Sequence, residues 1–87
     1  MSMADITIYI TRRSADCDRA KQFLDEEGIF YDEVDIEKST EGAGRVQRAN
    51  GGRRIVPTFE VAGEMFSLQP FDLKKLMREL EKRGIDE

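Results

Sequence analysis

The stretch Ile6–Leu24, I-T-I-Y-I-T-R-R-S-A-D-C-D-R-A-K-Q-F-L, decides the architecture of this chain. Ile6, Ile8 and Ile10 alternate with Thr7 and Tyr9, the period-two pattern of a strand. From Ala15 onward Ala20, Phe23 and Leu24 recur at helical spacing with charges between them. Ser14 is placed to cap that helix, its hydroxyl accepting from a backbone N–H one turn in, which is worth roughly 1 kcal/mol over alanine. Asp16 and Asp18 then suit the positive end of the helix dipole. The only cysteine of the chain, Cys17, falls in the first helical turn.

Working outward, strand one is expected from Asp5 to Ile10 and helix one from Ala15 to Glu27, with Gly28 as a left-handed stop. Ile29–Ile36 is β-branched and aromatic, hence strand two. Strand, helix and strand within about 30 residues make a βαβ unit, so the two strands should run parallel. Ser39 predicts the cap of a second helix over Thr40–Ala49, weakened by Gly42 and Gly44 by up to ~1 kcal/mol each relative to alanine. Asn50-Gly51-Gly52 ends it. Ile55–Val61 reads as strand three, Ala62-Gly63 as a tight hairpin turn and Glu64–Ser67 as strand four. A last helix is expected from Pro70 to about Arg83, with Gly84 as its stop and Phe71, Leu73, Leu76, Met77 and Leu80 as an apolar face turned to the core.

Composition narrows the function. Eighty-seven residues make one domain, 1–87, with a single core. A net charge of −4 argues against nonspecific nucleic-acid binding. One cysteine excludes an internal disulfide and fits a reducing compartment. The absence of histidine excludes Cys–His and Ser–His pairs and the usual zinc ligand set. No stretch reads as a leader or a membrane span, so a cytoplasmic monomer is expected.

The order β-α-β-α-β-β-α, with I-Y-x-x-x-x-S-A-D-C-D-R-A-K entering the first helix and R-R-I-V-P-T-F entering the third strand, resembles the glutaredoxin family of the thioredoxin fold. The resemblance covers roughly Ile6 to Leu80. It implies an α/β architecture, a four-stranded mixed sheet in order 2-1-3-4 flanked by three helices. It also implies thiol–disulfide oxidoreductase chemistry, an electron carrier in cell redox homeostasis. Ser14 stands at the position of the family's nucleophilic cysteine and Cys17 at that of the resolving thiol. The box S-A-D-C is thus the reverse of the family's C-x-x-S form.

Three readings of Ser14 follow. It replaces a natural cysteine and blocks the reaction; it is natural and the domain has become a non-catalytic peptide-binding module; or Cys17 alone is the working thiol. Taken by themselves, Ser14 is a good N-cap and Cys17 a small buried apolar residue.

The resemblance further implies that Val56–Pro57 is a cis bond whose preceding backbone pairs with an extended thiol substrate. Such bonds are only about 5–6% of X–Pro bonds in folded proteins, so the residues alone do not suggest it. Arg54 matches a family position that pairs with a glutathione carboxylate, and Arg12 with Arg13 stands near the family's lysine, where this chain has Thr11. The family's Gly-Gly-x-Asp-Asp segment is replaced by Ser67-Leu68-Gln69-Pro70. That piece is more similar to the G-F-x-P turn of the glutaredoxin-like redoxins that serve ribonucleotide reductase.

The implied partners are a disulfide-containing protein or glutathione as co-substrate, with thioredoxin reductase as an alternative reductant and no membrane or nucleic acid. No metal or bound prosthetic group is implied. Cluster binding in C-x-x-S members uses the cysteine that is missing here. Arg45, Arg48, Arg53 and Arg54 form a basic stretch, either a solvated surface or a docking site for an acidic peptide or carboxylate.

Overall fold

Ile6 and Ile8 are fully buried and Ile10 nearly so, as their alternation predicts. They belong to β1 (Ile6–Ile10) of a computed structural model that describes residues 5–85. The remaining elements are α1 (Ala15–Glu26), β2 (Tyr31–Asp35), α2 (Thr40–Ala49), β3 (Thr58–Val61), β4 (Glu64–Ser67) and α3 (Leu73–Lys82). The sheet order is β2-β1-β3-β4, with β1 parallel to β2 and antiparallel to β3, and β3 antiparallel to β4. This is the thioredoxin-like α/β arrangement that the resemblance implies. No helix among the described residues is long and apolar enough to cross a membrane.

The strand period divides the core. One face carries Ile6, Ile8 and Ile10 of β1, and the register sets Phe59 and Val61 of β3 beside them. The helix α1 covers this face: Lys21 pairs with Glu33 at 3.1 Å, and the Tyr31 hydroxyl donates to Asp25 at 3.0 Å. Burial, then the Asp25 hydrogen bond, push the Tyr31 phenol up to about 12. Leu76 and Leu80 of α3 are also buried, and Phe59 stacks on Phe66 with ring centres 5.1 Å apart. Arg83, just past α3, lies 4.5 Å over the Phe66 ring and pairs with Glu79 at 2.7 Å.

The opposite face belongs to α2. The Tyr9 hydroxyl donates to Glu60 at 2.7 Å, while Arg45 of α2 donates to that hydroxyl at 3.0 Å and pairs with the same carboxylate. The hydrogen bond from Tyr9, with Arg45 beside it, lowers the Glu60 pKa against the opposing effect of burial. Arg45 is therefore committed to holding α2 on the sheet. It does not belong to a free basic stretch, which corrects the expectation for that residue.

Other boundaries shift for local reasons. The third strand begins at Thr58 and not at Ile55, because Pro57 has no N–H to offer β1. The last helix begins at Leu73 and not at Pro70: Asp72 caps it, its carboxylate accepting from Lys75 N–H at 3.2 Å. Its expected core face is only half buried, since Leu73 and Met77 are 43% and 42% exposed. The second strand spans Tyr31–Asp35, short of the expected Ile29–Ile36, and Glu27 is the C-cap of α1 rather than its last residue.

The hairpin after β3 does turn at Ala62-Gly63, both with positive φ (53° and 84°). Such a pair fits a two-residue loop between twisted strands.

Gly42 and Gly44 differ in a way that composition does not show. A Cβ at Gly42 would lie 2.6 Å from Cγ1 of Val34, so glycine here lets α2 approach β2. A Cβ at Gly44 would meet only the Arg48 guanidinium at 3.5 Å. Gly42→Ala should therefore destabilise by about 1–3 kcal/mol through overpacking, whereas Gly44→Ala should stabilise by up to ~1 kcal/mol. Urea denaturation of the two variants checks this, and equal effects of the two would contradict it.

Candidate active site

Between β1 and α1 the chain must turn from a buried strand into a helix lying over the same sheet. Ser14 makes that junction. Its extended backbone (φ −94°, ψ 117°) precedes the helix, and its hydroxyl oxygen accepts from Cys17 N–H at 3.2 Å. Its carbonyl receives Asp18 N–H at 3.2 Å. The expected cap is thus observed. Ser14 is half-buried at the surface end of the turn, and Cys17 is fully buried and free, packed into the core with Ala20 and Leu24. Three residues of helix carry the chain from solvent to core.

The segment Ile55–Pro57 reaches the same end of β1 as this turn. The β1–β3 pairing ends with Tyr9 opposite Thr58, so the residues before Thr58 arrive at the end of β1 from which Thr11–Ser14 departs. The Val56–Pro57 bond is cis, as the resemblance implies, and Pro57 is fully buried. The buried Thr58 fixes the segment, its hydroxyl donating to the Ile55 carbonyl at 2.6 Å. Asn50, past the end of α2, donates to that hydroxyl at 3.3 Å and to the Val46 carbonyl at 2.8 Å, and accepts from Ser67 at 2.9 Å. On the β4 side Leu68 N–H donates to the Pro57 carbonyl at 3.2 Å. Among the described residues, the backbone N–H and C=O of Val56 take no part in these bonds.

Two connections have no counterpart in the sequence reading. The carboxylate of Asp16, inside the S-A-D-C turn, accepts from Phe71 N–H at 3.1 Å and lies 3.7 Å from Arg19. It ties the Leu68–Phe71 loop to the start of α1. That loop contains a second cis bond, Gln69–Pro70, also unanticipated. No local pattern signals a bond across 55 residues of chain. The Tyr9–Glu60–Arg45 cluster was more accessible, since Tyr9 and Glu60 share a face by strand alternation.

The predicted binding residues divide. Arg12 and Arg13 are exposed and line an open cleft of about 600 Å³ with Asp35, Glu37 and Lys38. Arg54 is exposed on a second cleft, of about 450 Å³, with Ile36, Glu37 and Gln47. Arg12 and Arg13 thus share a cleft, Arg54 lines the next, and Glu37 belongs to both.

Comparison with known proteins agrees with this geometry. The sequence model of the family described as Glutaredoxin matches residues 6–66. A Mycobacterium tuberculosis protein (strain H37Rv), named as a glutaredoxin, is 45% identical over 62 residues, 71% of this chain and 74% of that protein. Among solved structures, a variant of the thioredoxin-like protein BC3987 superposes with a TM-score of 0.75 at 25% identity, covering 91% of this chain and 97% of that one. A buckwheat glutaredoxin solved as its glutathione complex shares the fold, with a TM-score of 0.66 at 16% identity over 90% of this chain and 69% of its own.

The complete burial of Cys17 has a direct consequence. Iodoacetamide should modify it slowly in the native protein and rapidly after unfolding, because the alkylating agent must reach the sulfur. Mass spectrometry of timed samples checks this. Rapid labelling of native protein at neutral pH would contradict it and make Cys17 a working thiol on its own.

Proposed function

Because this chain belongs to the glutaredoxin family, we propose that it is a glutaredoxin-type thiol–disulfide oxidoreductase, an electron carrier in cell redox homeostasis, whose first step Ser14 blocks. Family and fold support the oxidoreductase-type function. The observation that carries the finer reading is the placement of positions 14 and 17. One is at the surface, capping a helix, and the other is a buried thiol one turn on.

A thiolate at position 14 would attack one sulfur of a substrate disulfide, breaking the S–S bond. A mixed disulfide would form, and the first substrate thiolate would leave and take up a proton. The Cys17 sulfur, as thiolate, would then attack the sulfur at position 14 and expel the second substrate thiolate. The substrate gains two electrons, and an external dithiol or glutathione reduces the 14–17 disulfide again. A serine hydroxyl stays protonated and attacks no disulfide, so as it stands the chain binds without turnover.

The same placement bears on a second reading, a peptide-binding module that has lost turnover. Ser14 is a well-formed cap, and the backbone of Val56, unpaired among the described residues, suits an extended segment laid beside it. Glutathione is a weak co-substrate in this proposal, because the glycine-rich clamp is replaced by Ser67–Pro70. Thioredoxin reductase is the alternative donor. No metal enters the scheme, and a reducing cytoplasm suits its single free thiol.

Ser14→Cys separates the two readings. The new thiol would sit at a helix N-terminus near Arg12 and Arg13, with a pKa below the ordinary ~8.5. The fold should lose only the cap, about 1 kcal/mol. The variant should reduce a small disulfide with dithiothreitol or thioredoxin reductase as donor, while the parent chain does not. A folded variant with two titratable thiols and no turnover would leave the binding module.

A further inference from the structure

We propose that this chain pairs with a second copy of itself through the face shared by α1 and the start of α3, the two α1 helices lying antiparallel about a two-fold axis. The proposal does not depend on the oxidoreductase reading, and it departs from the monomer that composition suggests.

The face is apolar where a lone chain would carry polar residues. Leu73 and Met77 are exposed, and as residues four apart they lie on one side of α3. Beside Leu73 is an open groove of about 370 Å³, with Phe23 and Phe71 as the rest of its apolar lining. The polar lining comes from α1 alone, as Arg19, Gln22 and Glu26.

The order of those side chains selects the occupant. Arg19 and Glu26 are seven residues apart, close to two helical turns, and both line the groove. Gln22 and Phe23 lie midway between them. A helix face with a cation at one end, an anion at the other and an aromatic ring between is its own complement when reversed. About a two-fold axis at Gln22–Phe23, Arg19 of one copy meets Glu26 of the other, and Phe23, Phe71 and Leu73 cover the centre. A parallel arrangement would set like charges against each other.

Neither charge is held firmly within its own chain. Arg19 reaches Asp16 only at 3.7 Å, and its side chain is 66% exposed. Glu26 accepts from Gln22 at 2.9 Å on the open surface. Exposed contacts of this kind yield readily to a competing partner. The S-A-D-C turns stay clear of the contact, since Ser14 lies about 13 Å along the helix direction from the axis.

The test is sedimentation equilibrium of the full chain, with Ser14 and under dithiothreitol, from about 10 µM to about 1 mM, a range suited to a small interface. Circular dichroism verifies that the variants fold. The parent chain should pass reversibly from one copy to two. Leu73→Glu should abolish the pairing, and Arg19→Glu and Glu26→Arg should each weaken it about tenfold. Mixing these two charge variants in equal amounts should restore it, because every facing pair is then opposite in sign. A chain that stays single over the whole range overturns the proposal. So does pairing unaffected by Leu73→Glu or by the charge reversals, or a mixture no tighter than either variant alone. Pairing needs no thiol, so its failure is distinct from a failure of turnover in Ser14→Cys.

Discussion

A single capping hydrogen bond, from Cys17 N–H to the hydroxyl of Ser14, fixes the junction on which this structure depends. It starts α1 within four residues of the end of β1, so that the helix lies over Ile6, Ile8 and Ile10. Position 14 is thereby left at the surface while position 17 enters the core. Whatever atom occupies position 14 sits at the positive end of a helix. With sulfur that environment favours an anion. With the oxygen present here it favours a neutral acceptor, and the residue becomes structural. A change of one element separates a nucleophile from a cap.

The facing segment depends on the other layer. Close approach of α2 to β2 at Gly42, and the partly buried cluster of Tyr9, Glu60 and Arg45, fix α2 against the sheet. Asn50 at its end then holds Thr58, Val46 and Ser67 together and sets the course of Ile55–Pro57. The cluster is electrostatically coherent. Burial and the Glu60 hydrogen bond raise the Tyr9 pKa, while that hydrogen bond lowers the pKa of Glu60. The phenol stays protonated and the carboxylate ionised across the physiological range. The course of Ile55–Pro57 thus relies on polar packing on the α2 side of the sheet.

Most of the fold was legible because its signals are local. Alternation gave β1, serines at 14 and 39 gave two helix starts, and Ala62-Gly63 gave the hairpin. The departures occur where a proline or a distant partner intervenes. Pro57 removes a donor that the β-branched run around it suggests, and Asp72 outcompetes Pro70 as a helix start. Burial of the α3 stripe depends on what faces each residue, which periodicity cannot reveal at Leu73 or Met77. The places of Ser14, Cys17, Val56 and Pro57 in the site came from the resemblance, not from spacing. The Asp16–Phe71 bond was invisible to both.

The central claim is that positions 14 and 17 are a nucleophile and resolver pair lacking one sulfur. It is tested most directly by oxidising Ser14→Cys with a small disulfide and weighing the intact protein. If the two positions are mutually in reach, the single chain loses a pair of hydrogens, and neither sulfur takes up iodoacetamide after unfolding. A product that stops as a mixed disulfide at position 14, with Cys17 still alkylatable once unfolded, would contradict the account.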